Sequence, residues 1–98
     1  MLKGELIINK QERKGNYIFY GVKICVTCGF CDTFGEEKQE IVRTALALIQ
    51  EKYPNNADYL QTFEYHRVDE ESVRFWCIHD VDYITFLLPE EYKWRTNT

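Results

Sequence analysis

The apolar positions change their period along the chain, and each change marks an element. Leu6-Ile7-Ile8 is a short apolar run that ends in the charged stretch from Asn9 to Gly15, which reads as a solvated hairpin loop closed by glycine. From Tyr17 to about Thr27 the chain is rich in aromatic and β-branched residues, which predicts a long strand. Alternation groups Ile18, Tyr20, Val22, Ile24 and Val26 on one face of it, with Tyr17, Phe19, Gly21, Lys23 and Cys25 on the other. Gly29 to Gly35 interrupts this pattern. Ile41, Val42, Ala45, Leu46, Leu48, Ile49 and Tyr53 then fall at helical spacing, predicting a helix from about Glu36 to Tyr53. Glu36 and Glu37 suit the positive end of its dipole, Asp32 or Thr33 offers a cap, and Pro54 stops it. Tyr59 to Val68 alternates again, Asp69 to Ser72 is a polar turn, and Val73 to His79 reads as the return strand. Asp80-Val81-Asp82 turns once more before a last strand, Tyr83 to Leu88, closed by Pro89.

The order is ββαβββ. It predicts a single α+β domain over residues 1–98: an antiparallel sheet meander with one helix on one face. Residues 90–98 read as a short polar tail, anchored by Tyr92 or Trp94.

Helix and sheet differ in width. A helix of about 18 residues is roughly 27 Å long and 10 Å wide, whereas five strands span about 20 Å. One helix covers most of one sheet face, so the other should be polar. Yet the chain has 7 Tyr, 6 Phe and 2 Trp, and aromatic residues alternate onto both sides of the strands. Tyr17, Phe19, Phe63, Tyr65, Trp76 and Ile78 are therefore the expected partner-binding residues, for a protein partner or for self-association, since exposed apolar area of this kind marks interfaces.

Composition narrows the function classes. Hydrophobic residues at 45% and charged ones at 29% belong to an ordinary globular chain of 98 residues. A formal charge of −4, with its 12 basic residues scattered, argues against direct nucleic-acid binding. No apolar run approaches the roughly 20 residues that span a bilayer, and the start lacks a signal-peptide core. The expectation is a cytoplasmic protein with reduced thiols and no membrane contact.

Candidate chemistry centres on Cys25, Cys28, Cys31 and Cys77. Cys25-x-x-Cys28-Gly29 has the spacing of a zinc knuckle, with Cys31 as a third ligand and Cys77 or His79 as a fourth. Against this, there is no second closely spaced cysteine pair, and a strand running through Thr27 points Cys25 and Cys28 to opposite faces. The cysteines are read as apolar filling, with a zinc-stabilised structural module as the alternative. A Cys-x-x-Cys redox motif ranks lower still, because such motifs open helices and this one is expected to end a strand. His66 and His79 stand in strands without flanking motifs, the acidic clusters fall in turns, and no phosphate loop or nucleophile elbow is present. No catalytic residue, metal ligand or cofactor is assigned, and the chain is expected not to be an enzyme.

Asn16-Tyr17-Ile18-Phe19-Tyr20-Gly21-Val22, the helix, Asp58-Tyr59-Leu60-Gln61-Thr62-Phe63-Glu64 and Ile84-Thr85-Phe86-Leu87-Leu88-Pro89-Glu90-Glu91 together form a further pattern. Over residues 16–91 it resembles the small proteins of Gram-positive bacteria and their mobile elements grouped as domain of unknown function nine-sixty. The chain departs from that pattern at Cys25 to Cys31. The resemblance implies a bacterial or phage setting and a non-enzymatic protein, and carries no site residues. The functional expectation is a small acidic intracellular binding protein that modulates a host protein.

Overall fold

The computed structural model describes residues 2–80 and 82–96, with side chains as far as Tyr92. Val81, expected in a turn, and the Trp94 side chain, expected to anchor the tail, lie outside what is described. The elements are β1 (Gly4–Ile8), β2 (Lys23–Val26), α1 (Cys28–Phe34), a 3-10 turn (Gly35–Glu37), α2 (Lys38–Lys52), β3 (Leu60–Arg67), β4 (Val73–His79), β5 (Tyr83–Leu87) and α3 (Pro89–Thr96).

The α+β class is as the sequence predicts, and β3, β4 and β5 form the expected antiparallel meander. The sheet itself is mixed. Its order is β1-β3-β4-β5-β2, and β2 pairs with β5 in parallel, Ile24 opposite Ile84 and Val26 opposite Phe86. β1 and β2 therefore occupy opposite edges, and the connection between them is not the expected hairpin loop. It crosses about 20 Å of sheet, and Gln11 ties it down. The Gln11 backbone N–H donates to Tyr53 Oη at 3.0 Å and its Nε2 to the Asn56 carbonyl at 2.8 Å. Its Oε1 accepts from the Asp58 N–H and from Nε2 of the buried Gln61, both at 2.8 Å.

The long strand expected from Tyr17 is reduced to Lys23–Val26. Upstream, Tyr17 N–H bonds the Ala57 carbonyl at 3.0 Å, and Gly21 turns the chain with φ of 70°. The helical region also differs. Gly35, at φ 52°, breaks it into α1 and α2, because its left-handed backbone suits glycine alone. The tail from Glu90 is helical: Pro89 occupies the first turn, where its missing N–H costs nothing, and Glu90 and Glu91 favour the dipole.

Register explains the core. Tyr65, Phe63 and Gln61 of β3, Phe75 and Cys77 of β4, and Ile84 and Phe86 of β5 share one face and are all buried. Ile41, Ala45 and Ile49 of α2 cover it, together with Phe30 and Phe34 of α1. Phe63 stacks on Phe75 with centroids 4.9 Å apart, and Phe30 and Phe34 each meet Phe75 at 5.4 Å. On the opposite face Trp76 packs against Tyr92 of α3 at 5.4 Å. The rest of that face carries Glu5, Glu64, His66, Arg74, Thr62 and Thr85 among its apolar residues, as the registers place them. The radius of gyration, 12.9 Å, is that of one compact domain of this length.

Candidate functional site

Exposed apolar surface gathers on the helical side of the sheet and not, as expected, on the opposite face. α2 packs toward β1 and α1 toward β5, and the helix-side residues of β2 stay partly open, Ile24 at 47% and Val26 at 37% exposed. Ile24 and Val26 of β2 face α2 across an open groove of about 440 Å³, whose other walls are Val42, Leu46, Lys38 and Arg43. The same flank of α2 continues past Gln50 and Tyr53, where Asn16 to Tyr20 border a second hollow of about 400 Å³. Tyr20 is 63% exposed, Ile18 54% and Ile24 47%. Among the described residues β2 pairs with β5 alone, so its outer edge offers unpaired backbone groups.

The six nominated partner-binding residues do not form one surface. Phe63 and Tyr65 are fully buried beneath the helices, and Phe19 is buried with its ring edge-on to His79 at 5.4 Å. These three are corrected to core positions, because register places Phe63 and Tyr65 on the covered face and the inward turn at Tyr17 carries Phe19 over His79. Trp76 and Ile78 lie half-buried on the second face. Tyr17 alone is exposed beside the groove, 5.3 Å from His79 and 6.2 Å from Tyr59. Ile18, Tyr20, Ile24 and Val26, which border the two hollows, are four of the five residues that alternation grouped together, and the fifth, Val22, packs against the core.

The cysteines are dispersed. Cys25 and Cys28 are exposed, Cys31 is half-buried and Cys77 is buried. Cys77 shares the core face with Phe86, whereas Cys25, in register with Thr85, points to the other side of the sheet. Burial holds the Cys77 thiol well above its ordinary pKa. Among the described residues no group of three His, Cys, Asp or Glu side chains is placed to hold a metal ion.

Two carboxylates are held below their ordinary pKa. Glu37 accepts from the Tyr65 hydroxyl, from Arg67 Nε at 3.0 Å and from Arg67 Nη2 at 2.9 Å. The Tyr65 bond and the Arg67 charge together outweigh burial there, while burial, reinforced by Glu37, raises Tyr65. Glu91 is opposed first by burial, but Thr27, Leu88 and Gly29 outweigh it. Its Oε1 accepts from the Thr27 hydroxyl at 2.5 Å and the Leu88 N–H at 2.8 Å, and its Oε2 from the Gly29 N–H at 3.1 Å. One carboxylate thus caps α3 in the manner of a capping box and α1 beside its own Thr27 cap. A Cβ at Gly29 would stand 2.7 Å from this carboxyl group, so a larger residue there would push the Glu91 side chain aside.

These clusters are structural, and the stability profile should reveal them. Glu37 has a lowered folded-state pKa, so its contribution is full above the ordinary 4.5 and is lost as pH falls through the lowered value. Tyr65 is raised, so its contribution is full below 10.0 and is lost as pH rises through the raised value. Burial raises Cys77 in the same sense from its ordinary 9.0, so the urea midpoint should be level between about 4.5 and 9.0 and fall on both sides. Glu37→Gln should shallow the acid limb, leaving the part due to Glu91; an unaltered acid slope would refute the assignment.

No family model, curated protein or solved structure matches the chain. Among the described residues no helix is long and apolar enough to cross a membrane.

Proposed function

We propose that the chain is a small non-enzymatic binding protein that captures an extended apolar segment of a protein partner along the β2–α2 face. One observation carries this reading. Of the eight large apolar side chains exposed among the described residues, five lie between Tyr17 and Val26, beside an open strand edge. A strand added to β2 would gain backbone hydrogen bonds and lay alternate side chains on Val42 and Leu46. Lys38 at the groove, beside an Arg43 that pairs with Glu40 at 2.7 Å, favours acidic residues flanking that segment. Modulation of a host protein by a phage- or mobile-element-encoded chain is the setting that the resemblance to the Gram-positive family suggests.

A peptide of alternating valine and threonine, flanked by glutamates, is the direct probe. Titrated into 15N-labelled protein, it should shift amides of residues 23–26 and 38–46, and Ile24→Asp with Leu46→Asp should weaken it by at least about tenfold, the cost of about 1.4 kcal/mol. Flanking the same peptide with lysines should also weaken it. Shifts elsewhere, or equal binding with lysine flanks, would count against the proposal. A dimer in sedimentation that the double variant abolishes would identify a second copy as the occupant instead.

A further inference from the structure

The redox reading of Cys-x-x-Cys ranks low in the sequence because the motif is expected to close a strand. That objection applies to Cys25 and Cys28. It does not apply to the overlapping pair, since Thr27 caps α1 and Cys28 is its first residue, with Cys31 one turn later. We infer that Cys28 and Cys31 form a redox-active dithiol that exchanges with low-molecular-mass disulfides. This site is separate from the β2–α2 groove, none of whose lining residues it uses.

Helix geometry brings the two residues together. Residues three apart in a helix have Cα atoms about 5 Å apart, within the roughly 4.4–6.8 Å that a disulfide spans. Their Cβ atoms, about 5–6 Å apart in a regular turn, must approach to about 3.5–4.5 Å for the bond. In the thiol form the turn is α-helical, with the Cys31 N–H donating to the Thr27 carbonyl at 3.0 Å, so closing the bond draws this turn toward 3-10 geometry, in which residues three apart eclipse. The intervening residues anchor the turn to the rest of the fold. Phe30 is buried, 4.7 Å from Phe34 and 5.7 Å from Phe86 between ring centroids. The Phe30 N–H donates to Thr27 Oγ1 at 3.2 Å, and Gly29 is fixed by Glu91.

Exposure then assigns the roles. Cys28 is open to solvent and Cys31 is half-buried, so Cys28 attacks and Cys31 resolves. The Cys28 thiolate attacks one sulfur of R–S–S–R, forming a mixed disulfide and expelling one thiolate RS⁻, which takes up a proton. The Cys31 thiolate then attacks Cys28 Sγ, closing the Cys28–Cys31 bond and expelling the second thiolate. Two electrons pass from the pair of cysteines to the external disulfide, which leaves as two thiols. Cys25 stays outside the pair, held by the β2–β5 ladder on the sheet face away from the helices, and Cys77 is sealed in the core.

The test uses the whole chain in buffers of graded reduced and oxidised glutathione, trapped with an alkylating agent and mapped by mass spectrometry. The expected result is one two-electron transition whose disulfide maps to Cys28 and Cys31, with the near-UV spectrum of the fold retained. Cys25→Ser should shift the midpoint ratio by less than about twofold. Cys31→Ser should abolish the internal bond and leave glutathione on Cys28. A bond that includes Cys25, mixed disulfides alone at every ratio, or oxidation seen only with loss of the near-UV signal would each overturn the inference. If the serine variants fail to fold, the wild-type map decides the question alone.

Discussion

Replacing Phe75 by alanine should lower the stability of the domain by about 3–5 kcal/mol, out of a total of about 5–15 kcal/mol for a chain of this size. Phe75 is fully buried and sits where the sheet meets both helices. It is stacked on Phe63 at 4.9 Å and met by Phe30, Phe34 and Phe86 at 5.4, 5.4 and 6.2 Å. Rings on four sides cannot all collapse into the space, so the cavity cost adds to the lost transfer energy. With a slope of about 1–3 kcal/mol per molar urea, the midpoint should fall by about 2 M. Tyr83→Ala, at an exposed position on the second face, is the control and should shift it little. A Phe75→Ala midpoint within about 0.5 M of wild type would show that the aromatic cluster does not organise the core.

The second large effect is expected at Glu91. Alanine there removes the acceptor for three donors at once: the Thr27 hydroxyl, the Gly29 N–H and the Leu88 N–H. Hydrogen bonds to a charged acceptor contribute about 1.5–3 kcal/mol each and are not additive, so a loss of about 2–4 kcal/mol is expected. Glutamine should fall between, because its amide nitrogen cannot accept and leaves one donor facing another. The distinguishing readout is hydrogen exchange. Amides in both α1 and α3 should lose protection together, although their sequences lie far apart. Loss confined to α3 would mean that the carboxylate caps a single helix.

What the sequence discloses and what it hides divide along physical lines. The α2 stripe was legible because its apolar period is set by the helix itself, and Ile41, Ala45 and Ile49 are its buried residues. The β3–β4 hairpin was legible because its turn is local, from Val68 to Ser72, with Asp69 at positive φ. β2 was misread because strand propensity speaks of half-buried surface and not of pairing. Tyr17 to Tyr20 have that propensity, yet they lie beside the 56–57 segment, where Tyr17 N–H bonds Ala57. The parallel partner of β2 lies in β5, and no local signal reports a contact at that separation. The α3 helix was missed because its cap is shared with α1, so Leu88-Pro89-Glu90-Glu91 shows only half a capping box.

Of the candidate site, the sequence disclosed the surplus of apolar surface but assigned it to the wrong side. A period-two pattern shows which residues share a face and not which face a helix will cover. At its N-terminus α2 is tied to β3 by Glu37, which accepts from Tyr65 and Arg67. The cysteine spacing was visible as well. Its meaning depended on one boundary, the residue at which strand gives way to helix, and boundaries are the least secure part of any sequence reading.

The parallel seam between β2 and β5 also sets a timetable for biosynthesis. β2 ends at Val26, and β5 does not begin until Tyr83. A ribosome adding about 5–20 residues per second needs on the order of several seconds to make the intervening segment. Throughout that interval the nascent Lys23–Val26 strand has no mate, and the thiols beyond it protrude from an unfinished chain. Chaperones that bind emerging apolar segments should meet this strand before its partner is made, and a transcript cut short before β5 would leave it permanently unpaired.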